Sequence, residues 1–275
     1  MQKKGVDISE HNGSVDFQAL KNAGVQFAIL RLGYGSDYVS QDDSRFSENV
    51  RKAETAGMPW GAYLYSYAKT AAMAQSEAQH ALRLLNGKKP SYGVWFDVED
   101  GQISSADVVT TSQTFCDAME AAGVYAGIYA SLSWLNGKLD SPLLDKYDKW
   151  VAQWNSICTY KKPYGIWQFT DKLAVSGKNF DGNWAYKDYP SIVQAMNEPE
   201  KEEPELTEAE VKEIARREIE AYFAELAKKP VADWAQEAVE FVQAEGLMRG
   251  DAEGGFRPQS FITRQEVAAV LKNLS

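Results

Sequence analysis

Cysteine and histidine are scarce in this 275-residue sequence, with two of each. Cys116 and Cys158 are too few for a disulfide framework. Cys116 falls in a helical pattern, where a buried free thiol is the simpler expectation. His11 and His80 stand apart, and no spacing of His, Cys, Asp and Glu suits a metal, so neither metal nor cofactor is expected. No apolar run is long enough for a membrane span. The opening MQKKGVDIS lacks an apolar segment of signal-peptide length, which leads to the expectation of a chain made in the cytoplasm or separated from its leader. The sequence after the first strand-like run reads DISEHNG, not a glycine-rich phosphate loop. Basic residues are outnumbered, 29 Lys and Arg against 39 Asp and Glu, and a net charge of −10 argues against a nucleic-acid partner.

What is present is unevenly distributed. Residues 197–225 hold 11 Glu against 4 Lys and Arg, so most of the net charge belongs to a connector and the N-terminal region is nearly balanced. Through that region short apolar runs recur at 4–9, 26–35, 58–67, 92–99, 124–131, 149–154 and 164–170. Helical patterns fill 16–24, 43–57, 73–87 and 105–123, each closing on Gly. The alternation predicts parallel βα units, hence an α/β fold: an irregular, TIM-like β/α barrel whose last quarter is degraded. A doubly wound open sheet is the alternative.

Barrel enzymes of this type carry their chemistry at the C-terminal ends of the strands. Here those ends hold Asp7, Arg31 with Tyr34, Tyr63 with Tyr65, Asp97 with Glu99, Tyr129, Trp154 and Gln168. The run GVWFDVED, residues 93–100, is the most pointed of them. Side chains in a strand alternate, so Asp97 and Glu99 face the same way with Cα atoms roughly 6.5–7 Å apart. Paired carboxyls read either as a solvated strand end or as an acid/base pair. The aromatic residues read either as helix-to-sheet packing or as platforms for sugar rings.

The order GVDIS, ILRLGYG, Asp43-x-x-Phe46-x-x-Asn49, AGMPWGAYLYSYA, FDVE, GIYAS, WVAQW, IWQFT and Phe180-Asp-Gly-Asn183 resembles glycoside hydrolase family 25 over about residues 4–190. The resemblance implies a muramidase that cleaves the β-1,4 bond between N-acetylmuramic acid and N-acetylglucosamine in peptidoglycan. It carries four acidic positions onto Asp7, Asp97, Glu99 and Asp181. The sequence departs from the family pattern just after Asp181, where a second acid is common in the segment occupied here by NWAYKDYP, so that end of the barrel is expected to be rearranged. Glycoside cleavage needs a proton for the leaving oxygen and an anion facing the developing positive charge. Glu99 is assigned as the general acid, its pKa raised by neighbouring carboxylates and by Trp95 as an apolar wall. Asp97 is the anion, acting as nucleophile or as orienter of the substrate's N-acetyl group, with retention of configuration. Arg31, Tyr34, Tyr63, Tyr65, Trp95, Tyr129, Trp154 and Gln168 are the expected substrate contacts.

The acidic run 197–205 reads as a linker after a catalytic region spanning 1–196. Residues 206–229 then read as one helix, with Val211, Ile214, Ile219, Tyr222 and Leu226 at helical spacing and Thr207 with Glu210 as a capping box. Packing of that stripe against neighbouring elements is the expectation, self-association the alternative. In residues 230–275 the order W-A-x-E-A-V, E-G-L-x-x-G, G-x-F-R-P and I-T-R-x-E resembles an S-layer homology repeat, a small all-helical module that anchors proteins to anionic wall polymers. Arg264 is its expected ligand contact, with a salt bridge to Glu266 as the alternative. The partners implied are peptidoglycan, a secondary wall polymer and further copies of the chain through 206–275, with no nucleic acid and no membrane. Such a chain would be an endolysin of phage or prophage type, acting on the wall once lysis releases it. A non-catalytic wall-binding protein and a chitinase-like hydrolase are the other readings.

Overall fold

The computed structural model describes residues 2–104, 106–198, 206–250 and 255–274. Of the acidic connector, residues 199–205 lie outside the described residues, as do Ser105 and the first glycine of the G-x-F-R-P run. The chain divides into two compact units, Met1–Pro199 and Glu200–Ser275.

In the first unit eight strands close into a barrel in sequence order: β1 (Lys3–Ile8), β2 (Phe27–Tyr34), β3 (Trp60–Tyr65), β4 (Val94–Asp97), β5 (Ala126–Ser131), β6 (Asp148–Ala152), β7 (Ile166–Val175) and β8 (Lys178–Ala185). The β/α barrel expected from the alternation is therefore present, and the open-sheet alternative is not. β1 to β7 pair in parallel, whereas β8 runs antiparallel to both β7 and β1. This is one strand more than the seven apolar runs indicate, and it is the irregularity of the last quarter. α1 (Phe17–Asn22), α2 (Phe46–Thr55), α3 (Ala71–Leu85) and α4 (Val108–Ala121) link the early strands, α5 (Leu132–Leu135) follows β5, and α6 (Tyr189–Asn197) follows β8. Helix starts are set by side-chain caps: Asp16, Thr70 and Asp107 each accept from a backbone N–H of the first turn.

Period-two alternation divides the apolar side chains into two cores. Val94, Phe96 and Val98 pack outward with Phe115, Cys116 and Met119 of α4. Phe27, Ile29, Trp95, Trp150, Ile166 and Tyr189 fill the barrel interior. Small residues make room for these rings: a Cβ on Gly127 would lie 2.4 Å from the Trp95 ring, and one on Gly5 would lie 2.2 Å from Phe27. Cys116 is buried and free, and Cys158 is free and partly exposed.

The second unit contains α7 (Glu208–Lys228), α8 (Gln236–Ala244) and α9 (Arg264–Asn273). α7 starts at the expected capping box: Thr207 Oγ1 accepts from Glu210 N at 3.3 Å, and Glu210 accepts from Thr207 N at 2.8 Å. Its apolar stripe is not packed as expected. Val211, Ile214, Ile219 and Tyr222 are exposed, and only Leu226, 9% exposed, is buried. Phe223 meets Phe261 edge-on at 5.6 Å, near the C-terminal end of the helix. The remaining turns have no second helical layer to cover them among the described residues, because the tail supplies only two short helices. No helix of the described residues is long and apolar enough to cross a membrane.

Candidate active site

Barrel closure brings the strand ends together around a cleft of about 600 Å³. Register places Asp97 beside Tyr65 on β3 and Tyr129 on β5, Asp7 beside Asp181 on β8, and Ala152 beside Gln168 on β7. Alternation continues past the end of β4: Val98 is buried among outward-facing core residues, so Asp97 and Glu99 both line the cleft. All four expected acids do so, together with Arg31, Tyr34, Tyr63, Tyr65, Tyr129 and Gln168. Ser9, Glu10, His11, Asn12, Tyr67 and Trp150 also line it, and sequence reasoning did not single them out.

Trp95 is the exception among the expected contacts. Its side chain is fully buried inside the barrel, its indole N–H donating to Tyr92 O at 2.8 Å. Trp150 packs edge-on against it at 5.9 Å and forms the floor of the cleft in its place. Period two gives Trp95 the same face as Asp97 but one layer deeper, so it cannot be the wall beside Glu99. Trp154 lies two residues beyond β6, 61% exposed, outside the set that lines the cleft. Its indole N–H donates to Gln168 Oε1 at 3.0 Å, which ties it to the cleft edge.

The carboxyls are crowded and dry. Asp7 is held well above the ordinary carboxylate range, by burial first and by Asp181 second, with hydrogen bonds from Asn183 and Gln168 opposing. Asn183 Nδ2 and Gln168 Nε2 both donate to Asp7 Oδ2, at 2.8 and 3.0 Å. Asp97 is likewise raised well above its usual value by burial, then by Glu99 and Asp7, against an opposing pull from Arg31. Its Oδ1 is buried and makes no hydrogen bond with protein. Glu99 is open toward solvent, yet the protein packed around its carboxyl withholds enough water to raise its pKa. A hydrogen bond with Tyr129 opposes this, while Asp181 and Asp100 add to it. Asp181 is raised chiefly by burial, and its hydrogen bond with Asp7 lowers it. Asp7 and Asp181 are register partners on β1 and β8, so each carboxyl's charge bears on the other's titration.

Arg31 is only partly available to a ligand. Its Nε donates to Asp43 Oδ2 and its Nη2 to Glu10 Oε1, both at 2.8 Å. Asp43 also accepts from the backbone of Glu10 and Arg45, so the first position of the D-x-x-F-x-x-N motif braces the loop after β1. Tyr65 donates to Asp100 Oδ2 at 3.1 Å, and its ring meets Tyr67 edge-on at 5.4 Å, which builds an aromatic wall on the strand next to that of Arg31. Among the described residues no group of three His, Cys, Asp or Glu side chains is arranged to hold a metal ion.

In the tail, the I-T-R-x-E motif spends two of its residues on the helix start. Thr263 and Glu266 form a reciprocal capping box at α9, so Glu266 is engaged with Thr263 and not with Arg264.

The family model for "Glycosyl hydrolases family 25" matches residues 6–178, and that for "S-layer homology domain" matches 228–268. A "Probable GH family 25 lysozyme 4" from Dictyostelium discoideum is 27% identical over 199 residues, covering 66% of this chain and 89% of its own length. Among solved structures, the catalytic domain of endolysin ply40 from bacteriophage P40 of Listeria monocytogenes aligns with a TM-score of 0.59 at 26% identity, over 70% of this chain and 98% of that one. The modular autolysin LytC from Streptococcus pneumoniae, in complex with a synthetic peptidoglycan ligand, aligns with a TM-score of 0.60 at 27% identity. That match covers 67% of this chain, which spans about half the length of LytC, 47%.

Proposed function

The chain belongs to glycosyl hydrolases family 25, and from that premise we propose that it is a peptidoglycan hydrolase cleaving the β-1,4 bond between N-acetylmuramic acid and N-acetylglucosamine. One observation carries the reading: a buried Asp97 with an unpartnered Oδ1 lines an acidic, aromatic-walled cleft together with Glu99, whose pKa is raised by burial. Glu99 delivers its proton to the leaving glycosidic oxygen. A buried acceptor without a partner is costly, and the N–H of a substrate acetamido group would satisfy Asp97 Oδ1. Held there, the acetamido carbonyl oxygen attacks C1 as the leaving bond breaks. Glu99, now ionised, takes a proton from a water molecule whose oxygen attacks C1, the bond from C1 to the acetamido oxygen breaks, and the second inversion restores the original configuration. Asp7, its carboxyl pushed well above the usual range by burial and by Asp181, limits the negative charge that the cleft accumulates next to this centre.

The exposed Trp154 and the Tyr65–Tyr67 wall offer faces for sugar rings. The tail holds the enzyme on the wall, with Arg264, freed from Glu266 by the capping box, as its contact with an anionic polymer. Copies of the chain associate through 206–275, because the stripe on α7 is left exposed. The lytic role is that of an endolysin. Mass spectrometry of fragments released from purified peptidoglycan tests the activity. Muropeptides ending in reducing N-acetylmuramic acid are expected. Release from chitin alone would favour the chitinase-like reading, and wall binding without release the non-catalytic one.

A further inference from the structure

Asp7 is reached by two side-chain amides, and each amide is oriented by a tryptophan. Trp150 Nε1 donates to Asn183 Oδ1 at 2.8 Å, and Asn183 Nδ2 donates to Asp7 Oδ2 at 2.8 Å. Trp154 Nε1 donates to Gln168 Oε1 at 3.0 Å, and Gln168 Nε2 donates to the same Asp7 oxygen at 3.0 Å. An indole N–H can only donate, so it admits one of the two orientations of the amide it faces. The first arm is closed off, since Trp150 and Asn183 are both buried. The second ends on Trp154, 61% exposed at the cleft edge.

A second donor also reaches Gln168 Oε1, the Tyr129 hydroxyl at 3.2 Å. That hydroxyl has one hydrogen, and it lines the same cleft as Glu99, whose ionised form it favours. Whenever Glu99 has given up its proton, the ionised carboxylate is the stronger acceptor and Tyr129 turns to it. Trp154 is then the remaining donor that keeps Gln168 from flipping. A flipped amide would set Oε1 against Asp7 Oδ2 and Nε2 against the indole N–H, acceptor to acceptor and donor to donor.

We propose that Trp154 is a positioning residue for Asp7, locking Gln168 in the orientation that donates to the Asp7–Asp181 carboxyl pair at the moment Glu99 is ionised. The proposal rests on the hydrolase reading for its kinetic consequence but not for its structural one. Asp7 is faced by Asp181 from β8, Asp97 from β4, Tyr63 from β3 and Tyr129 from β5, with Arg31 on β2 acting on Asp97. Loss of the Gln168 donation removes a contact that favours the ionised form of Asp7, so its titration moves to higher pH.

Trp154→Phe separates the two uses of the ring, since it keeps an aromatic face and deletes only the donor. In the full chain the variant is expected to lower kcat on peptidoglycan about 3- to 10-fold with KM within twofold. The limb of the pH–rate profile that reports the carboxyl pair should move upward. Without substrate, the side-chain carboxyl 13C signal of Asp7, assigned with Asp7→Asn, should titrate at higher pH in the variant than in the parent. A raised KM with unchanged kcat, unchanged pH profile and unchanged Asp7 titration would overturn the proposal and leave Trp154 as a sugar platform only. If the parent releases no reducing ends, the hydrolase reading fails, and the Asp7 titration still decides this inference.

Discussion

The two units of this chain place opposite values on burial. In the barrel, rings such as Trp95, Trp150 and Tyr189 are enclosed, and buried carboxyls sit at both ends: Asp7 and Asp97 at the cleft, and Asp148 at the other end, where it accepts from the Tyr189 hydroxyl at 2.7 Å. In the tail Trp234 is 90% exposed, Phe241, Phe261 and Leu271 are largely so, and only Leu226 is buried among the described residues. A unit with a sealed core can hold carboxyls close together against their own repulsion, because surrounding packing fixes them there. The proposed function assigns chemistry to the first unit and wall attachment to the second. Variants that act on one unit and spare the other test that division.

Asp97→Asn removes the anion while keeping shape. It is expected to slow reducing-end release by roughly 10²- to 10⁴-fold, with unchanged retention on cell walls. Loss of both functions together would break the division. Trp95→Ala opens a cavity beneath the cleft floor and should cost the barrel about 3–5 kcal/mol in denaturant unfolding. Trp234→Ala in the tail should stay within about 0.5 kcal/mol.

Glu77 on α3 gives a pH signature to the barrel alone. It is buried, accepts from Ser66 Oγ at 2.7 Å and Tyr67 N at 2.8 Å, and burial pushes its carboxyl from the usual 4.5 up to about 7. Between those values the folded protein keeps the proton that the unfolded chain gives up, so the contribution of Glu77 to stability falls as pH rises from 4.5 to about 7 and is constant beyond. Glu77→Gln should reduce the decline of stability between pH 4 and 8 by about 3 kcal/mol in unfolding measurements, leaving the part that the raised cleft carboxyls contribute. In the tail, Arg264→Gln is expected to weaken binding to purified walls by roughly 10- to 100-fold while leaving hydrolysis of a soluble glycan fragment intact.

Much of the barrel is legible in the sequence because seven of its strands bury at least one apolar face. β8 is not, for a physical reason. Its inward residues Asp181 and Asn183 face Asp7 and Trp150, so the alternation that marks a strand carries polar groups where apolar ones are expected. The acids were legible from strand position and family motif together. Trp95 is near Asp97 in sequence but not at the cleft, because a strand step of two descends a layer. Trp150, inside WVAQW, carries no sequence signal that separates it from a core residue, yet its inward-facing position on β6 puts it at the floor. In the tail, helical spacing was read correctly as a stripe on α7, but spacing alone carries no information about what covers it.

The central claim is that Asp97 and Glu99 cut a glycosidic bond together inside the barrel. Rates of reducing-end release from purified peptidoglycan by the parent chain and by Glu99→Gln, compared at equal thermal stability, test it most directly. The account predicts steady release by the parent and a loss of at least about 10²-fold in the variant. Equal rates in the two proteins would contradict it.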